Sequence, residues 1–153
     1  MEWTPLQLFP PSDLRYQLFE SSFEESGCYC ILLMARWSGL CRDGSAGADD
    51  AAFMSAVTAA ALNRVPADVV VFDFTDLEYR WGNSLLSVFE TVGDADLELP
   101  IAVSVAAGPG CLPALSSLVT PAGEQTPEWL KDNLEDAVAL GRRQARARAE
   151  VIG

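Results

Sequence analysis

The stretch from Asp68 to Leu86 reads DVVVFDFTDLEYRWGNSLL, and its first third sets the architecture. Val69, Val70, Val71 and Phe72 are consecutive, apolar and mostly β-branched, a run too short for a helix and typical of a strand buried on both faces. The spacing predicts a central strand ending near Asp73. Gly82 and Asn83 then supply a turn and a helix cap, and Leu85, Val88, Phe89 and Val92 recur at i, i+3, i+4 and i+7, one face of a helix. A strand, a turn and a helix are therefore expected in that order.

Upstream, Val65-Pro66-Ala67 closes a helix whose inner stripe is Phe53, Met54, Val57 and Ala61, with Asp49 or Asp50 as its cap. Before it, CYCILLMAR from Cys28 to Arg36 reads as another strand covered on both faces. Leu14, Tyr16 and Leu18 alternate with Arg15 and Gln17, the pattern of a strand with one wet face. The intervening SSFEESG from Ser21 to Gly27 reads as the loop of an antiparallel hairpin. Residues 1–12 hold Pro5, Pro10 and Pro11 among Trp3, Leu6, Leu8 and Phe9, and read as an extended arm lying on the body. Downstream, Pro100 to Ala107 is a strand, Gly108-Pro109-Gly110 a turn, and Cys111 to Val119 a short helix facing inward through Leu112, Leu115 and Leu118. Thr126 and Pro127 read as the start of a last helix that turns Leu130, Leu134, Ala137, Val138 and Gly141 to the body.

These units predict one α/β domain over residues 13–141. Its single sheet has about four strands, the first two antiparallel and the rest parallel, with helices packed on it. Residues 142–153 form a basic helix end, where Arg142, Arg143, Arg146 and Arg148 suit the negative pole of their own helix or an acidic partner.

A chain of 153 residues suffices for one core without metal or disulfide. Its formal charge of −12 would repel a phosphate backbone, which argues against nucleic acid as a partner. No apolar run reaches the ~18 residues of a membrane span, and Glu2 with no basic stretch beside it argues against a secretory signal. A cytoplasmic location follows. Cys28, Cys30, Cys41 and Cys111 have neither a C-x-x-C nor a zinc spacing and read as buried free thiols. The chain has no histidine, which removes Ser-His-Asp and Cys-His chemistry and the commonest zinc ligand. No residue pattern calls for a cofactor.

Several stretches carry candidate chemistry. GLCRDGS, from Gly39 to Ser45, has the glycines of a phosphate-cradling loop without its lysine, and reads otherwise as a surface loop. Cys111 stands at a helix start, where the dipole favours thiolate. Asp73, Asp76 and Glu78 stand at or beyond the expected end of the central strand, where α/β sheets place ligands. The run VVVFDFTDL resembles the strand motif of haloacid-dehalogenase phosphatases, whose second acid lies two residues on. Thr75 holds that place here, and Asp76 would face the other side of an extended chain. Tyr79, Arg80 and Trp81 gather residue types that anchor protein interfaces. They either dock a partner or fold back over the sheet edge.

The element order and the run from Asp68 to Leu86 are similar to the STAS domain of anti-sigma-factor antagonists and sulphate-transporter tails. In that family a buried strand ending in an aspartate precedes an Asp-Ser-Ser-Gly or Asp-Ser-Thr-Gly turn, whose hydroxyl a partner kinase phosphorylates. Here Trp81, Gly82, Asn83 and Ser84 replace those four residues. Asn83 falls at the phosphoacceptor and Ser84 at the glycine. The resemblance implies a non-catalytic regulatory domain binding a partner protein, or a second copy of itself, through Tyr79, Arg80, Trp81, Asn83 and Ser84. A second resemblance, to the ClpP/crotonase superfamily, implies an enzyme using backbone amides at Gly108 to Gly110 as an oxyanion site.

Overall fold

The computed structural model describes residues 1–152. Its elements follow the order β1 (Arg15–Glu25), β2 (Cys28–Cys41), α1 (Gly47–Arg64), β3 (Val69–Tyr79), α2 (Leu86–Asp94), β4 (Ala102–Ala107), α3 (Leu112–Val119), β5 (Leu130–Lys131) and α4 (Leu134–Ile152). The strands form one sheet in the order β1-β2-β3-β4-β5. The β1–β2 pair is antiparallel, and β3, β4 and β5 run parallel to β2. The α/β class, the antiparallel start and the parallel remainder agree with the sequence pattern. A fifth strand joins the expected four.

The run Val69–Phe72 sits at the centre of the sheet and is fully buried. Its alternation divides the core. Val70, Phe72 and Phe74 face α1 and α2 with Met54, Val57, Leu85, Val88 and Val92. Val69 and Val71 face α4, through Ala145 and Ala149 beside Val69 and Ala137 beside Val71. At about 25 cal/mol per Å², burying each valine or phenylalanine supplies roughly 1.5–3 kcal/mol, so this strand is the main apolar anchor of both layers.

The strand does not stop at Asp73. It continues to Tyr79 across a bulge: Arg36 pairs with Asp73 and Ser38 with Asp76, so Phe74 and Thr75 together oppose Trp37. The extra residue resets the alternation, and Leu77 and Tyr79 rejoin the α1 and α2 side. Asp76 therefore shares a face with Asp73, contrary to the expectation for an uninterrupted strand.

Other boundaries differ for equally local reasons. Ser26 and Gly27 both have positive φ, 52° and 80°, and close the hairpin as a two-residue turn, so Ser21 to Glu25 are strand rather than loop. β2 runs on through Gly39 to Cys41, pairing with Leu77 to Tyr79, and absorbs half of the expected glycine loop. β1 is exposed on both faces rather than one, because the helices reach this margin only through single side chains, Phe53 of α1 on Tyr16 and Arg142 and Arg146 of α4 on Phe23 and Glu25. Thr126 and Pro127 do not begin the last helix. The amide of Val105 donates to Trp129 O, fixing the two-residue β5, and Asn133 caps α4 by accepting the amide of Asp136 at 2.8 Å. Nor do Asp49 and Asp50 cap α1, whose N-terminus carries no side-chain cap.

In the N-terminal arm, Phe9 packs edge-on against Phe53, while Trp3, Leu6 and Leu8 stand exposed rather than on the body. The basic end of α4 is not a solvated tip. Arg142 lies over the Phe23 ring, Arg146 pairs with Glu25 and Glu150, and Arg148 holds Asp68 at 2.9 Å and Asp96 at 2.7 Å. Among the described residues no helix is long and apolar enough to cross a membrane.

Candidate functional site

The carboxyl ends of β2, β3 and β4 lead into three segments at one end of the sheet, residues 42–46, 80–85 and 108–111. The middle one is fixed from below. Tyr79 is buried, and its hydroxyl donates to Gly82 O, so its ring anchors the turn instead of facing solvent. Burial, with the neighbouring Cys41 and Cys111, pushes the phenol up to about 12, and it stays a hydrogen-bond donor at physiological pH.

The turn is also held from the side. The amide of Gly44 donates to Trp81 O at 3.4 Å, and the Trp81 ring lies on Gly44, where an added Cβ would come within 2.6 Å of the indole. Gly44 has φ +58°, so its lack of a side chain serves both the backbone bend and the ring. Arg80 pairs with Asp43 across the same gap at 3.3 Å. Trp81 nevertheless remains 61% exposed. Asn83 is exposed and Ser84 half-buried. Both line an open groove of about 390 Å³ with Ala48, Ala51 and Ala52 of α1 and Leu86, Ser87 and Glu90 of α2.

The loop that supports Trp81 is clamped by Asp50. This carboxylate is 1% exposed and accepts from the Arg42 amide at 2.8 Å, the Arg42 guanidinium at 3.0 and 3.2 Å, and the Ser12 hydroxyl at 2.6 Å. Burial works to raise its pKa, but the bonds from Arg42 and Ser12 outweigh it and hold the group below its ordinary 3.8. A carboxyl lowered by folding stabilises the native state above its unfolded pKa, and the contribution fades as pH falls through the depressed value. The urea midpoint of Asp50→Asn should therefore lie well below that of the wild type at pH 7, and the gap should narrow as pH falls below the ordinary 3.8. A gap that stays constant with pH would remove Asp50 from this role.

Of the five residues that the sequence singles out, Arg80, Trp81, Asn83 and Ser84 reach the surface together, and Tyr79 lies beneath them. Sequence reading missed Asp43, Gly44, Asp50 and the alanines of the groove. Gly44 read only as part of a free loop, because its partner Trp81 lies 37 residues on, and Asp50 only as a helix cap.

The other candidates resolve into structural groups. Asp73 is 5% exposed and accepts from Arg36 Nε at 3.0 Å and from the Thr75 amide and hydroxyl, so both carboxylate oxygens are tied to the strand and its neighbour. Asp76 and Glu78 are exposed, and no group of three or more Cys, Asp or Glu among the described residues could hold a metal ion. Cys111 is fully buried, and burial pushes its thiol up to about 12, the reverse of the shift expected at a helix start. At Gly108 to Gly110, the Gly108 amide donates to Phe74 O and the Cys111 amide to Gly108 O, while Pro109 has none. The turn thus offers no pair of free amides to an oxyanion.

The fold and site define an α/β domain with a mixed five-stranded sheet and a braced aromatic turn at the carboxyl end of its central strand. No family model, curated protein or solved structure matches the chain.

Proposed function

We propose that this chain is a non-catalytic, STAS-like regulatory domain of the cytoplasm that binds a partner protein through Arg80 to Ser84 and the adjoining α1–α2 groove. One observation carries the reading. Trp81 is 61% exposed yet braced by the Gly44 amide, the Gly44 floor and the Tyr79–Gly82 bond. An exposed indole held in one place contributes its area to an interface at little entropic cost, which is how aromatic hot spots act. The flanking Arg80, Asn83 and Ser84 supply a polar rim, and the alanine-lined groove beside them admits an apolar side chain.

The test is retention of a stoichiometric partner by tagged protein in extracts of the source cell. Trp81→Ala should leave the thermal unfolding profile close to that of the wild type. A hot-spot loss of about 2 kcal/mol weakens the complex roughly thirtyfold. Retention unchanged by the substitution would contradict the reading.

A further inference from the structure

The two margins of the sheet are unlike. On one side β5 offers two residues, an edge too short to recruit another strand. On the other, β1 offers eleven residues with no proline, no lysine and no break in register along the β1–β2 ladder. The hairpin geometry says which amides are free. A two-residue turn closes on a hydrogen-bonded pair, here Glu25 and Cys28, and such pairs alternate along an antiparallel ladder. Odd-numbered residues of β1 thus bond to β2, whereas Tyr16, Leu18, Glu20, Ser22 and Glu24 direct their backbone groups to the open side.

We propose that this edge pairs with the same edge of a second copy, continuing the sheet across a twofold axis. Charge specifies the occupant. Arg15 makes no ion pair among the described residues, and Glu25, which is half-exposed and held only at 3.5 Å by Arg146, lies at the other end of the strand on the same face. Antiparallel pairing of two copies brings those ends together. A register centred on Glu20 would oppose two carboxylates. One centred on Phe19 sets Phe19 against itself, Leu18 opposite Glu20 of the partner subunit, and Arg15 diagonal to Glu25 of the partner subunit. The same union shields an apolar groove of about 350 Å³ that Phe9, Tyr16, Leu18, Val57 and Ala61 line beside the edge. The arm that enters this groove at Phe9 also carries Trp3, Leu6 and Leu8 exposed.

Sedimentation of the whole chain decides the matter. The wild type should approach twice the chain mass of 16.5 kDa as concentration rises. Leu18→Pro deletes an outward amide and none of the bonds to β2, so it should keep the wild-type circular dichroism while its dimer weakens at least about tenfold. Should that variant not fold, Leu18→Glu, at a position already 39% exposed and opposite Glu20 of the partner subunit, must give the same result, since it sets two carboxylates against each other. In the wild-type dimer the amides of Leu18, Glu20 and Ser22 should resist hydrogen exchange. A wild type that stays monomeric at every concentration, a folded variant that dimerises as well as the wild type, or a dimer whose β1 amides exchange freely overturns the proposal.

Discussion

Gly108→Ala will lower the stability of the domain by about 3 kcal/mol, because the new methyl has no space and its neighbour cannot yield. An added Cβ would stand 2.1 Å from Thr75 O and 3.0 Å from Thr75 C. Both are backbone atoms at the bulge of the central strand, and Gly108 already donates its amide to Phe74 O. Relief would require β3 and the β4–α3 turn to separate, opening the ladder that carries the Tyr79 anchor. For a domain of this size the change corresponds to a fall in Tm of roughly 6–12 °C. Gly110→Ala serves as the comparison. Its Cβ meets Glu78 Cγ at 3.5 Å, an ordinary contact, and the variant should unfold within about 2 °C of the wild type. Equal effects at the two positions would show that the close approach at Thr75 is not what constrains the turn.

Arg148→Ala will cost about as much, for an electrostatic reason. The guanidinium is only 11% exposed and donates to Asp68, Asp96 and the carbonyl of Leu99. Asp68, itself 10% exposed, also accepts the amide of Ile31 at 2.9 Å and so ties the start of β3 to β2. Removing the cation leaves a buried carboxylate uncompensated, a loss of about 3 kcal/mol or more. The double variant Arg148→Ala with Asp68→Asn should recover part of it, since no charge is then stranded. Denaturant unfolding of the single and double variants measures this, and additive effects would contradict the coupling.

The residues that were easiest to read were those whose neighbours in sequence are also their neighbours in effect. Four apolar residues before Asp73 announced a central strand, and Leu85, Val88, Phe89 and Val92 announced the helix after it. The strand is central and the helix presents that face, but the strand runs on to Tyr79 and the helix begins at Leu86, without the cap expected of Asn83. Features set by distant pairing were not legible. The bulge at Phe74 and Thr75 depends on the register against Trp37, so the shared face of Asp73 and Asp76 has no local sign. The strand Leu130–Lys131 is two residues long and exists because β4 is beside it. Cys111 occupies the predicted helix start, yet burial governs its thiol.

The site divides in the same way. Composition marked Tyr79, Arg80 and Trp81 as residues of interest, but only the tertiary structure separates the buried anchor from the exposed indole. The floor under Trp81 comes from Gly44, and the clamp on that loop from Ser12, Arg42 and Asp50, drawn from three separate segments. Such convergence leaves no periodic trace in a sequence.

Backbone amide exchange on the purified domain, free and in complex with its partner, addresses the docking turn itself. Protection gained on binding should concentrate at Arg80 to Leu86 and at Ala48 to Ala52 across the groove. Protection confined to other segments, with the turn exchanging as it does in the free protein, would contradict a role for Trp81 in association.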